Sequence, residues 1–487
     1  MINDKLNILY ASVEIAPFAS TGGLGDVGDS LPEELANNGL NIARVMPKFK
    51  GIEEKWALKK SVSIIIKVEG KANVVDIYKY KEKNLTTYFV GSKDYFERDN
   101  YYGYSDDNIR FGLFSKAVLE MLIILKIKPN ILHVNDWHVG LIPFILKKEY
   151  SHIEFYKDLK TVYTIHNLQY QGAFDNGTLN KLNLSYEYFD IDILEYYGKI
   201  CYMKAGIICS DLVTTVSDNY AKEIQTPKYG YGLDGVLRKY KNKICGIVNG
   251  INYDKFNPQT DKYIYYNYNE DNVIFAKKEN KHNLQKEVDL PIKNVPLIGM
   301  VSRLSQQKGI DLCIKAIEKL ANSEIQFIIL GTGEKLYEDE LARLSDKYPM
   351  NVKVIIEFNQ KIARQIYSSS DIFLMPSLFE PCGLSQIYSM RFGTVPIVRK
   401  TGGLADTVKP FNIDKLIGTG FVFEEYDVEQ FVKAINKALK IYWDSNKWNN
   451  LINNCMEERF SWENSAKQYI NKYKQLLDYD DVTIKTT

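Results

Sequence analysis

The sequence is poor in the features that mark disulfide-rich, zinc-binding, membrane and nucleic-acid-binding proteins. Its six cysteines among 487 residues show no Cys-x-x-Cys or Cys/His spacing, which favours reduced thiols over a disulfide framework or a zinc site. The formal net charge is only +1, so no overall field attracts nucleic acid or an acidic membrane. The longest apolar run, KAVLEMLIILK, is too short to cross a bilayer, and the opening polar segment and strand predict no signal or transit peptide. We therefore expect a cytoplasmic protein with no nucleic-acid or membrane partner.

What the sequence does contain is a repeated alternation of strand-like and helix-like segments. The chain is too long for one ordinary core, which predicts two domains. The strand candidates are short, β-branched and apolar on both faces, as in covered parallel sheets, and amphipathic patterns such as GIDLCIKAIEKLAN and EQFVKAINKALKIYW separate them. Such βα repeats predict an α/β fold with two Rossmann-like domains facing across a cleft. The strand candidates are residues 7–13, 42–47, 130–136, 161–167, 212–217 and 244–249, then 296–302, 327–333, 352–358, 372–377 and 395–400.

A loss of periodicity marks the boundary between the two predicted domains. The stretch NPQTDKYIYYNYNEDN has neither helical nor strand spacing, and the basic helical stretch AKKENKHNLQKEV after it leads into the second strand series. The pattern of the polar segment SWENSAKQYINKYKQLL near the end predicts one amphipathic helix. We predict domains over residues 1–250 and 251–462, followed by a terminal helical segment over residues 463–487.

Polar residues follow several predicted strands of the first domain, at the end where ligands bind in open α/β sheets. The adjacent glycines of PFASTGGLGDV either relieve strain in a tight turn or bring the backbone close to a ligand, and the pattern alone does not decide. Two histidines, an aspartate and an asparagine at two strand ends indicate a polar pocket, but their spacing does not define a metal site. The candidates are Glu14, Ser20, Thr21, Gly22, Gly23 and Asp26 after the first strand, Asp136, Trp137 and His138 after NILHVND, and His166, Asn167, Tyr170 and Gln171 after TVYTIHN.

The second domain carries cations and a helix start at its predicted strand ends. Arg303 and Lys308 of SRLSQQKG offer a guanidinium fork and an ammonium five residues apart, which suits a diphosphate, although a solvated loop would carry the same charges. A carboxylate beside an anion would repel it, so Glu380 is expected to face neutral hydroxyls. Cys382 lacks a base and is expected to be a small filler. Backbone N–H groups where a helix opens in LFEPCGLSQIYSMRFG can hold an anion, and RKTGGLADT adds a second glycine loop.

These segments together resemble bacterial glycogen synthases and plant starch synthases. The matching stretches are EIAPFASTGGLGDV, HVNDWHVGL, TIHNLQYQG, VNGINYDKFNP, SRLSQQKGIDL, LFEPCGLSQIYSMRFGTVPIVRKTGGLADTV and FSWENSAKQY, in order over residues 8–470. The resemblance implies the two-domain GT-B glycosyltransferase fold and a last helix that crosses back to the first domain. It also implies transfer of glucose, with retention, from ADP-glucose to the non-reducing end of an α-1,4-glucan such as glycogen or starch. No metal or other cofactor is implied; the first domain would bind the glucan and the second the nucleotide sugar.

The resemblance also assigns expected roles to the candidate residues. Arg303 and Lys308 would stabilise the leaving diphosphate, Glu380 would bind glucose hydroxyls, and Asp136 and His166 would border the anomeric carbon; these five are the expected catalytic set. The expected donor-binding set is Ser20, Thr21, Gly22, Gly23, Asn249, Phe358 (stacking on the base), Cys382, Gly383, Leu384 and Ser385. The expected acceptor or loop-ordering set is Glu14, Asp26, Trp137, His138, Asn167, Tyr170 and Gln171.

One departure from the family pattern keeps alternatives open. Ser20 stands where the family usually has a lysine thought to touch the donor phosphates or the forming bond. A UDP-glucose-dependent transferase, a retaining transferase with another acceptor and a catalytically weak glucan-binding homologue are the alternatives. Tyr101, Tyr102 and Tyr104 near Arg98 form a candidate sugar platform, because aromatic rings suit the apolar faces of glucose. The sequence leaves the oligomeric state open.

Overall fold

The computed structural model describes residues 5–477, and in this range the chain divides into two compact units. The first unit contains the chain up to Val216, residues 221–247 and the chain from Trp462 onward; the second contains residues 217–220 and 248–461. The changes of unit after residues 247 and 461 lie within three residues of the predicted boundaries at 250 and 462. The sequence does not predict that residues 217–220 belong to the second unit. Residues 478–487 of the predicted terminal segment lie outside the described residues.

A mixed sheet forms the centre of the first unit. Within the described range its nine strands follow the order β12-β11-β7-β6-β1-β2-β5-β4-β3. The strands from β12 to β5 run parallel, and β4 pairs antiparallel with both β5 and β3. The strands are β1 Asn7–Ala11, β2 Asn41–Pro47, β3 Lys59–Val68, β4 Lys71–Glu82, β5 Leu85–Gly91, β6 Ile131–Asn135, β7 Lys160–Ile165, β11 Leu212–Thr215 and β12 Ile244–Gly246, with β8 Ala173–Asp175, β9 Glu195–Tyr196 and β10 Lys199–Cys201 in a separate small sheet.

The antiparallel extension formed by β3, β4 and β5 corrects the expectation of a wholly parallel sheet. Residues 59–91 have no place among the predicted strands because β3 alternates exposed and buried side chains instead of forming a continuous apolar run. Alternation of this kind is typical of a sheet with one solvated face. The prediction of an α/β fold with Rossmann-like domains is nevertheless confirmed, since both main sheets have a parallel, doubly wound core.

Helices cover the first unit's sheet, and the last described helix is one of them. α18 buries Trp462, Ala466, Tyr469 and Tyr473 in the same apolar cluster as residues of β1 and α1. The Tyr473 hydroxyl lies 2.7 Å from Nδ1 of His133 in β6, which ties the helix to the middle of the sheet. The helices are α1 Gly23–Asn37, α2 Ile52–Lys55, α3 Lys93–Phe96, α4 Asp107–Ile124, α5 Leu141–Lys148, α6 Gly177–Lys181, α7 Tyr202–Cys209, α8 Asp218–Glu223 (which begins in residues 217–220), α9 Asp234–Lys239 and α18 Trp462–Leu476.

The second unit has a six-stranded parallel sheet over its described residues, in the order β15-β14-β13-β16-β17-β18. All five predicted strands are present; β18, only three residues long, has no counterpart among them. The strands are β13 Leu297–Val301, β14 Gln326–Leu330, β15 Val352–Ile355, β16 Ile372–Met375, β17 Val395–Arg399 and β18 Phe421–Phe423. The helices are α10 Val273–Glu287, α11 Ile310–Leu320, α12 Lys335–Lys347, α13 Gln360–Ser369, α14 Ser385–Arg391, α15 Gly402–Thr407, α16 Val428–Tyr442 and α17 Ser445–Glu457.

Strand register places the candidate residues of each unit at one edge of its sheet. In the first unit β1, β6 and β7 run parallel, and each is followed at its carboxyl end by candidate residues. In the second unit β13, β16 and β17 behave in the same way. Among the helices of residues 5–477, none combines the length and hydrophobicity that a bilayer crossing requires.

Candidate active site

The candidate residues fall into two sets, one in each unit. In the first unit, the buried carboxylate of Glu14 organises the loop that follows β1. It accepts hydrogen bonds from the backbone N–H of Thr21, from Thr21 Oγ1 at 2.9 Å and from the Tyr102 hydroxyl at 2.8 Å. The Thr21 and Tyr102 hydroxyls also lie 2.7 Å apart. Glu14 therefore fixes the glycine loop, and Tyr102 joins the site although the sequence placed it only in a sugar platform.

Ser20 lies at the exposed tip of this loop. Its Oγ donates to the carbonyl of Gly22 over 3.4 Å, which is a weak bond. A Cβ at Gly25 would collide with the Ser20 side chain, so this glycine is needed for the serine to fold back over α1. A Cβ at Gly22 would meet no atom within 4 Å, which leaves the backbone at that position open to approach. Asp26 lies in the first turn of α1, just beyond this loop.

Asp136 follows β6 in a backbone conformation that is almost reserved for glycine. Its φ of 61° and ψ of 178° place it in a region where a side chain is crowded. The surroundings hold it there: its N–H donates to the Thr164 carbonyl at 2.9 Å, and its Oδ1 accepts from the N–H groups of His166 at 2.8 Å and Asn167 at 3.4 Å. Strain of this kind costs about 1–3 kcal/mol and is concentrated at functional sites.

The Asp136 carboxyl group is also electrostatically unusual. Burial, helped by the nearby Glu14 carboxylate, raises its pKa to about 7 although the bonds from the His166 and Asn167 N–H groups act against the shift. A carboxyl group with this pKa changes its charge near neutral pH. Such tuning is typical of catalytic groups.

A hydrogen-bond chain orients the His166 ring. The Asn135 amide donates through Nδ2 to the carbonyl of Ala11 at 3.1 Å, so its Oδ1 must accept. That oxygen accepts from the Tyr10 hydroxyl at 3.0 Å and lies 2.9 Å from His166 Nε2. Burial lowers the His166 pKa to about 3, so the neutral ring carries its proton on Nε2 and Nδ1 remains an acceptor. Sequence reasoning missed Asn135, although it stands directly before Asp136.

Trp137 and His138 form an aromatic cluster beside Asp136. Their rings stack with centroids 3.9 Å apart, and Gly172 has φ +61° and lies where a Cβ would collide with the Trp137 ring. The His138 ring is buried against Phe111, and neither of its nitrogens has a hydrogen-bond partner among the described residues. Burial lowers the pKa of His138 to about 3, which keeps it neutral.

The tyrosines near Arg98 do not act as one platform. Tyr104 lies against the guanidinium groups of Arg98 and Arg110, and Tyr101 packs on a buried phenylalanine. Buried Arg110 donates to the carbonyl of Tyr101 at 3.0 Å and pairs with Asp107. Only Tyr102 of this group reaches the Glu14 carboxylate, because the other rings are used to hold their own loop.

Asn167, Tyr170 and Gln171 line the turn that follows His166. Asn167 Oδ1 accepts from the Gln169 N–H at 3.0 Å, so it shapes the turn itself. Gln171 donates through Nε2 to the Tyr231 carbonyl at 3.0 Å, which anchors the segment, and Tyr170 is about half exposed. These contacts fit the expected loop-ordering role, and the exposed Tyr170 ring is open to a ligand.

In the second unit, the two predicted cations have different environments. Lys308 Nζ lies 2.6 Å from Oε2 of buried Glu380, which also accepts from Ser377 Oγ at 3.1 Å. Arg303 is exposed, and its guanidinium group forms no hydrogen bond or ion pair with any residue in the range 5–477. That Glu380 faces sugar hydroxyls stays a prediction, and in this structure Lys308 offsets its negative charge directly. Arg303 is left as the cation with unused donors.

The second glycine loop packs tightly on the segment that carries Glu380. Gly402 has φ +43°, and a Cβ there would collide with the carbonyl oxygen of Glu380. The N–H of Gly403 donates to the carbonyls of Glu380 and Pro381, both at 3.1 Å. Close backbone approach therefore explains these glycines, in contrast to Gly22, which faces open space.

The segment from Cys382 to Ser385 is held from several sides. Gln386 donates to the Gly383 carbonyl at 2.8 Å and to Thr407 Oγ1 at 3.0 Å. Burial raises the pKa of the Cys382 thiol to about 12, with a bond from the Asn249 backbone acting against the shift, so the thiol is protonated and unreactive. α14 begins at Ser385 after Leu384, as predicted, and has seven residues. Asn249 and Cys382 thus lie together.

Two further residues complete the description of the second unit. The Phe358 side chain, on the turn after β15, is 85% exposed, so its ring is available for stacking. The sequence missed Asp406 in α15, whose Oδ2 accepts from Ser217 Oγ at 2.7 Å and from the Asn219 N–H at 3.0 Å. These bonds attach residues 217–220 to the second unit.

Two family models match the chain in sequence order. The starch synthase catalytic domain model matches residues 7–239, and the glycosyl transferases group 1 model matches residues 280–456. With its two Rossmann-like units, the chain is therefore a glycosyltransferase.

Relatives of similar length define the family more narrowly. A glycogen synthase from Desulforudis audaxviator is 44% identical over 493 residues, covering 98% of each chain. One from Clostridioides difficile is 43% identical and covers 97% of this chain and 100% of the relative. The catalytic domain of starch synthase IV from Arabidopsis thaliana, solved with ADP and acarbose bound, matches with a TM-score of 0.90 at 31% identity, covering 97% of this chain and 100% of that one. The chain belongs to the glycogen and starch synthase family.

Proposed function

We propose that this enzyme transfers glucose from ADP-glucose to the non-reducing end of an α-1,4-glucan, with retention of configuration. The second unit would bind the nucleotide sugar, and the first would bind the glucan. The proposal of ADP-glucose is supported by the related starch synthase IV, which was solved with ADP bound. We place the enzyme in the cytoplasm, as the sequence predicts.

The unpaired guanidinium group of Arg303 is the observation that carries this proposal. An exposed cation with free donors, near the Lys308–Glu380 pair, suits a diphosphate that gains charge as the glycosidic bond breaks. Lys308 would share its ammonium between Glu380 and the departing phosphate. Phe358 offers a freely exposed ring for the base. Positive charge is thus available from side chains, and we propose that catalysis needs no metal or other cofactor.

In the first unit, Asp136 and His166 are the proposed neighbours of the reacting carbon. The neutral His166 ring presents Nδ1 as an acceptor for a sugar hydroxyl, and Asp136 changes its charge near pH 7. Glu14, Thr21 and Tyr102 hold the glycine loop whose backbone at Gly22 is open. We propose that this loop approaches the donor through its backbone.

The decisive experiment measures glucosyl transfer from several labelled donors. Purified protein is incubated with ADP-glucose or UDP-glucose and with a maltooligosaccharide primer, sucrose, a lipid-linked sugar or no acceptor, and the labelled products are counted. We expect elongation with ADP-glucose and primer. Faster elongation with UDP-glucose would overturn the donor, transfer to sucrose or a lipid-linked sugar would overturn the acceptor, and glucan binding without transfer would indicate a catalytically weak homologue.

A further inference from the structure

A cavity of about 500 Å³ lies in the first unit away from the residues described above. Its wall includes the ends of α5 and α7, where Lys147, Lys148 and Ser210 lie, and Tyr240 and Lys243 close to the start of β12. A volume of this size is in the range that holds a small metabolite. None of these residues belongs to the proposed donor or acceptor sites.

Three lysine ammonium groups line this cavity, and they outnumber the carboxylates that line it. Lys147 and Lys148 are exposed, and neither donates to a carboxylate or carbonyl among residues 5–477. Two carboxylates also line the cavity, but both have partners: Asp192 pairs with Lys239 at 2.6 Å, and Asp211 Oδ2 accepts from Thr161 N–H and Oγ1 at 2.7 and 2.9 Å. The cavity therefore has an excess of positive charge.

The environment of Lys243 shows the effect of the neighbouring positive charge. Its Nζ donates to the carbonyls of Ile208 and Ser210, at 2.9 and 2.6 Å, at the end of α7, an arrangement that also stabilises the helix terminus. Burial first, and then the positive charge of Lys147, lower its pKa to about 8, while the Cys209 and Asp211 groups act against the shift. A bound anion would offset this like-charge repulsion.

A buried hydroxyl in the wall has no partner. Ser210 is 1% exposed, and its Oγ makes no hydrogen bond within the described chain. A buried hydroxyl without a partner is uncommon and calls for an explanation such as a bound group. One oxygen of an anion could accept from this hydroxyl while others meet the lysines. The Tyr240 ring and the apolar Ile193 and Ile208 line the same cavity and suit an organic moiety.

The cavity lies at the opposite edge of the sheet from the proposed catalytic residues. Asp211 precedes β11, Lys243 precedes β12, and Asp211 bonds to Thr161 near the start of β7. His166 follows the other end of β7, five residues after Thr161, or roughly 17 Å along an extended strand. A ligand here would not occupy the glucose or diphosphate positions.

We propose that this cavity binds a small phosphate monoester, with its phosphate between Lys147, Lys148 and Ser210 and its organic part against Tyr240. A phosphate monoester carries close to two negative charges at pH 7 and several acceptor oxygens, which matches three ammonium groups and one hydroxyl. This site is independent of the proposed donor and acceptor. Its test therefore does not depend on glucosyl transfer.

Isothermal titration calorimetry of the whole protein with glucose 1-phosphate and with AMP tests the proposal. Inorganic phosphate and uncharged glucose are the comparison ligands. We expect saturable binding of at least one ester, weaker binding of inorganic phosphate and none of glucose. Affinity for inorganic phosphate equal to that for the esters would overturn the assignment to an ester, and no binding of either ester at millimolar concentration would overturn the site.

Variants assign the binding to this cavity. Lys147→Gln together with Lys148→Gln changes exposed side chains and should weaken ester binding by roughly 10-fold or more, as should Ser210→Ala. Lys241→Gln is the matched control, since this exposed lysine does not line the cavity, and affinity should be unchanged. Arg303→Ala weakens any ester binding at the proposed donor site and should leave ester binding in this cavity in place. The reverse pattern, with loss in Arg303→Ala and none in the lysine double variant, would place the ester in the donor site and refute the proposal.

Discussion

The Lys308 ammonium group lies 2.6 Å from the Glu380 carboxylate, whereas the guanidinium group of Arg303, five residues earlier in the chain, has no partner among the described residues. The free enzyme thus holds one cation offset by a carboxylate and one ready to bind an anion. This difference separates the effects expected from changing each residue.

Removing either cation should mainly slow the chemical step. We expect Arg303→Ala and Lys308→Ala each to lower kcat by roughly 100-fold or more, since charge on the leaving diphosphate develops in the transition state. Steady-state kinetics with ADP-glucose measure this, and Lys335→Ala on α12 is the control with an exposed lysine. A rise in KM with unchanged kcat would assign the residue to ground-state binding instead.

Changing Glu380 should separate diphosphate binding from catalysis. Glu380→Gln keeps the shape but removes the charge that offsets Lys308, so ADP should bind more tightly while kcat falls. The two quantities are measured by calorimetry and by kinetics on the same preparation. Weaker ADP binding would show that the Lys308–Glu380 pair is required to position the lysine rather than to offset its charge.

Asp136 should give a pH dependence near neutrality. Its pKa of about 7 lies above the ordinary value of 3.8, so the folded protein binds more protons than the unfolded chain between these values. The stability that this group contributes is therefore complete below pH 3.8 and is lost as the pH rises through about 7. We expect Asp136→Asn to flatten this part of the stability profile and to lower kcat. Urea unfolding at several pH values measures the slope, and an unchanged slope in the variant would contradict the assignment.

Glu14 provides a second test of the same carboxyl group. Because the Glu14 carboxylate raises the pKa of Asp136, Glu14→Gln should move any Asp136-dependent inflection of the rate profile to lower pH. The glutamine side chain of this variant keeps one oxygen that accepts hydrogen bonds from the Thr21 and Tyr102 hydroxyls. An inflection that stays in place, or moves upward, would show that the two carboxyl groups do not interact.

The site at Ser20 should accept a lysine. Ser20 is exposed, and no described side chain closes over it, so a longer side chain can extend into solvent. We expect Ser20→Lys to leave kcat/KM for ADP-glucose unchanged or to raise it, because an ammonium group on this loop attracts the diphosphate of the donor. Gly25→Ala, which would displace the serine, should lower activity. A large drop for Ser20→Lys would indicate a pocket adapted to serine and a different donor.

Tyr473 tests the attachment of α18 to the first unit. Tyr473→Phe removes the hydroxyl 2.7 Å from His133 Nδ1 and leaves that buried nitrogen without its partner. The expected loss of unfolding free energy is about 1–3 kcal/mol. Chemical denaturation measures it against Lys474→Ala, an exposed position on the same helix, for which we expect little change.

Metal removal tests the proposal that side chains alone supply positive charge. Excess EDTA should leave glucosyl transfer intact, because Arg303 and Lys308 already provide two cations for the diphosphate. The assay is the labelled ADP-glucose transfer with and without chelator. Loss of activity that Mg²⁺ or Mn²⁺ restores would overturn the roles given to both residues.

The strands and their polar ends could be predicted because they follow local patterns. β6 and β7 are short apolar runs, and Asp136 and His166 come directly after them. β3 was not predicted from the same pattern, because Ser63 and Lys67 alternate with its buried residues and its longest apolar run is only residues 64–66. β18, with three residues, is too short to show any period.

Sequence patterns did not predict the contacts between residues that are far apart along the chain. The bond of Tyr102 to Glu14 joins residues 88 positions apart, and the ion pair of Lys308 with Glu380 joins residues 72 apart. Only the fold brings such groups together. The sequence argument considered Glu380 only in relation to a bound anion, and the structure adds its pairing with Lys308.

The position of α18 in the first unit has a consequence for the order in which the nascent chain can fold. The second unit, apart from the short segment 217–220, is contiguous and complete once residue 461 has been synthesised. The first unit begins earlier but needs Tyr469 and Tyr473 to cover apolar side chains such as Leu31 and Ile131. While the ribosome translates the intervening stretch, this apolar surface stays uncovered and exposed to aggregation or chaperones. Synthesis that stops before residue 462 would therefore leave the earlier-made unit as the unfinished one.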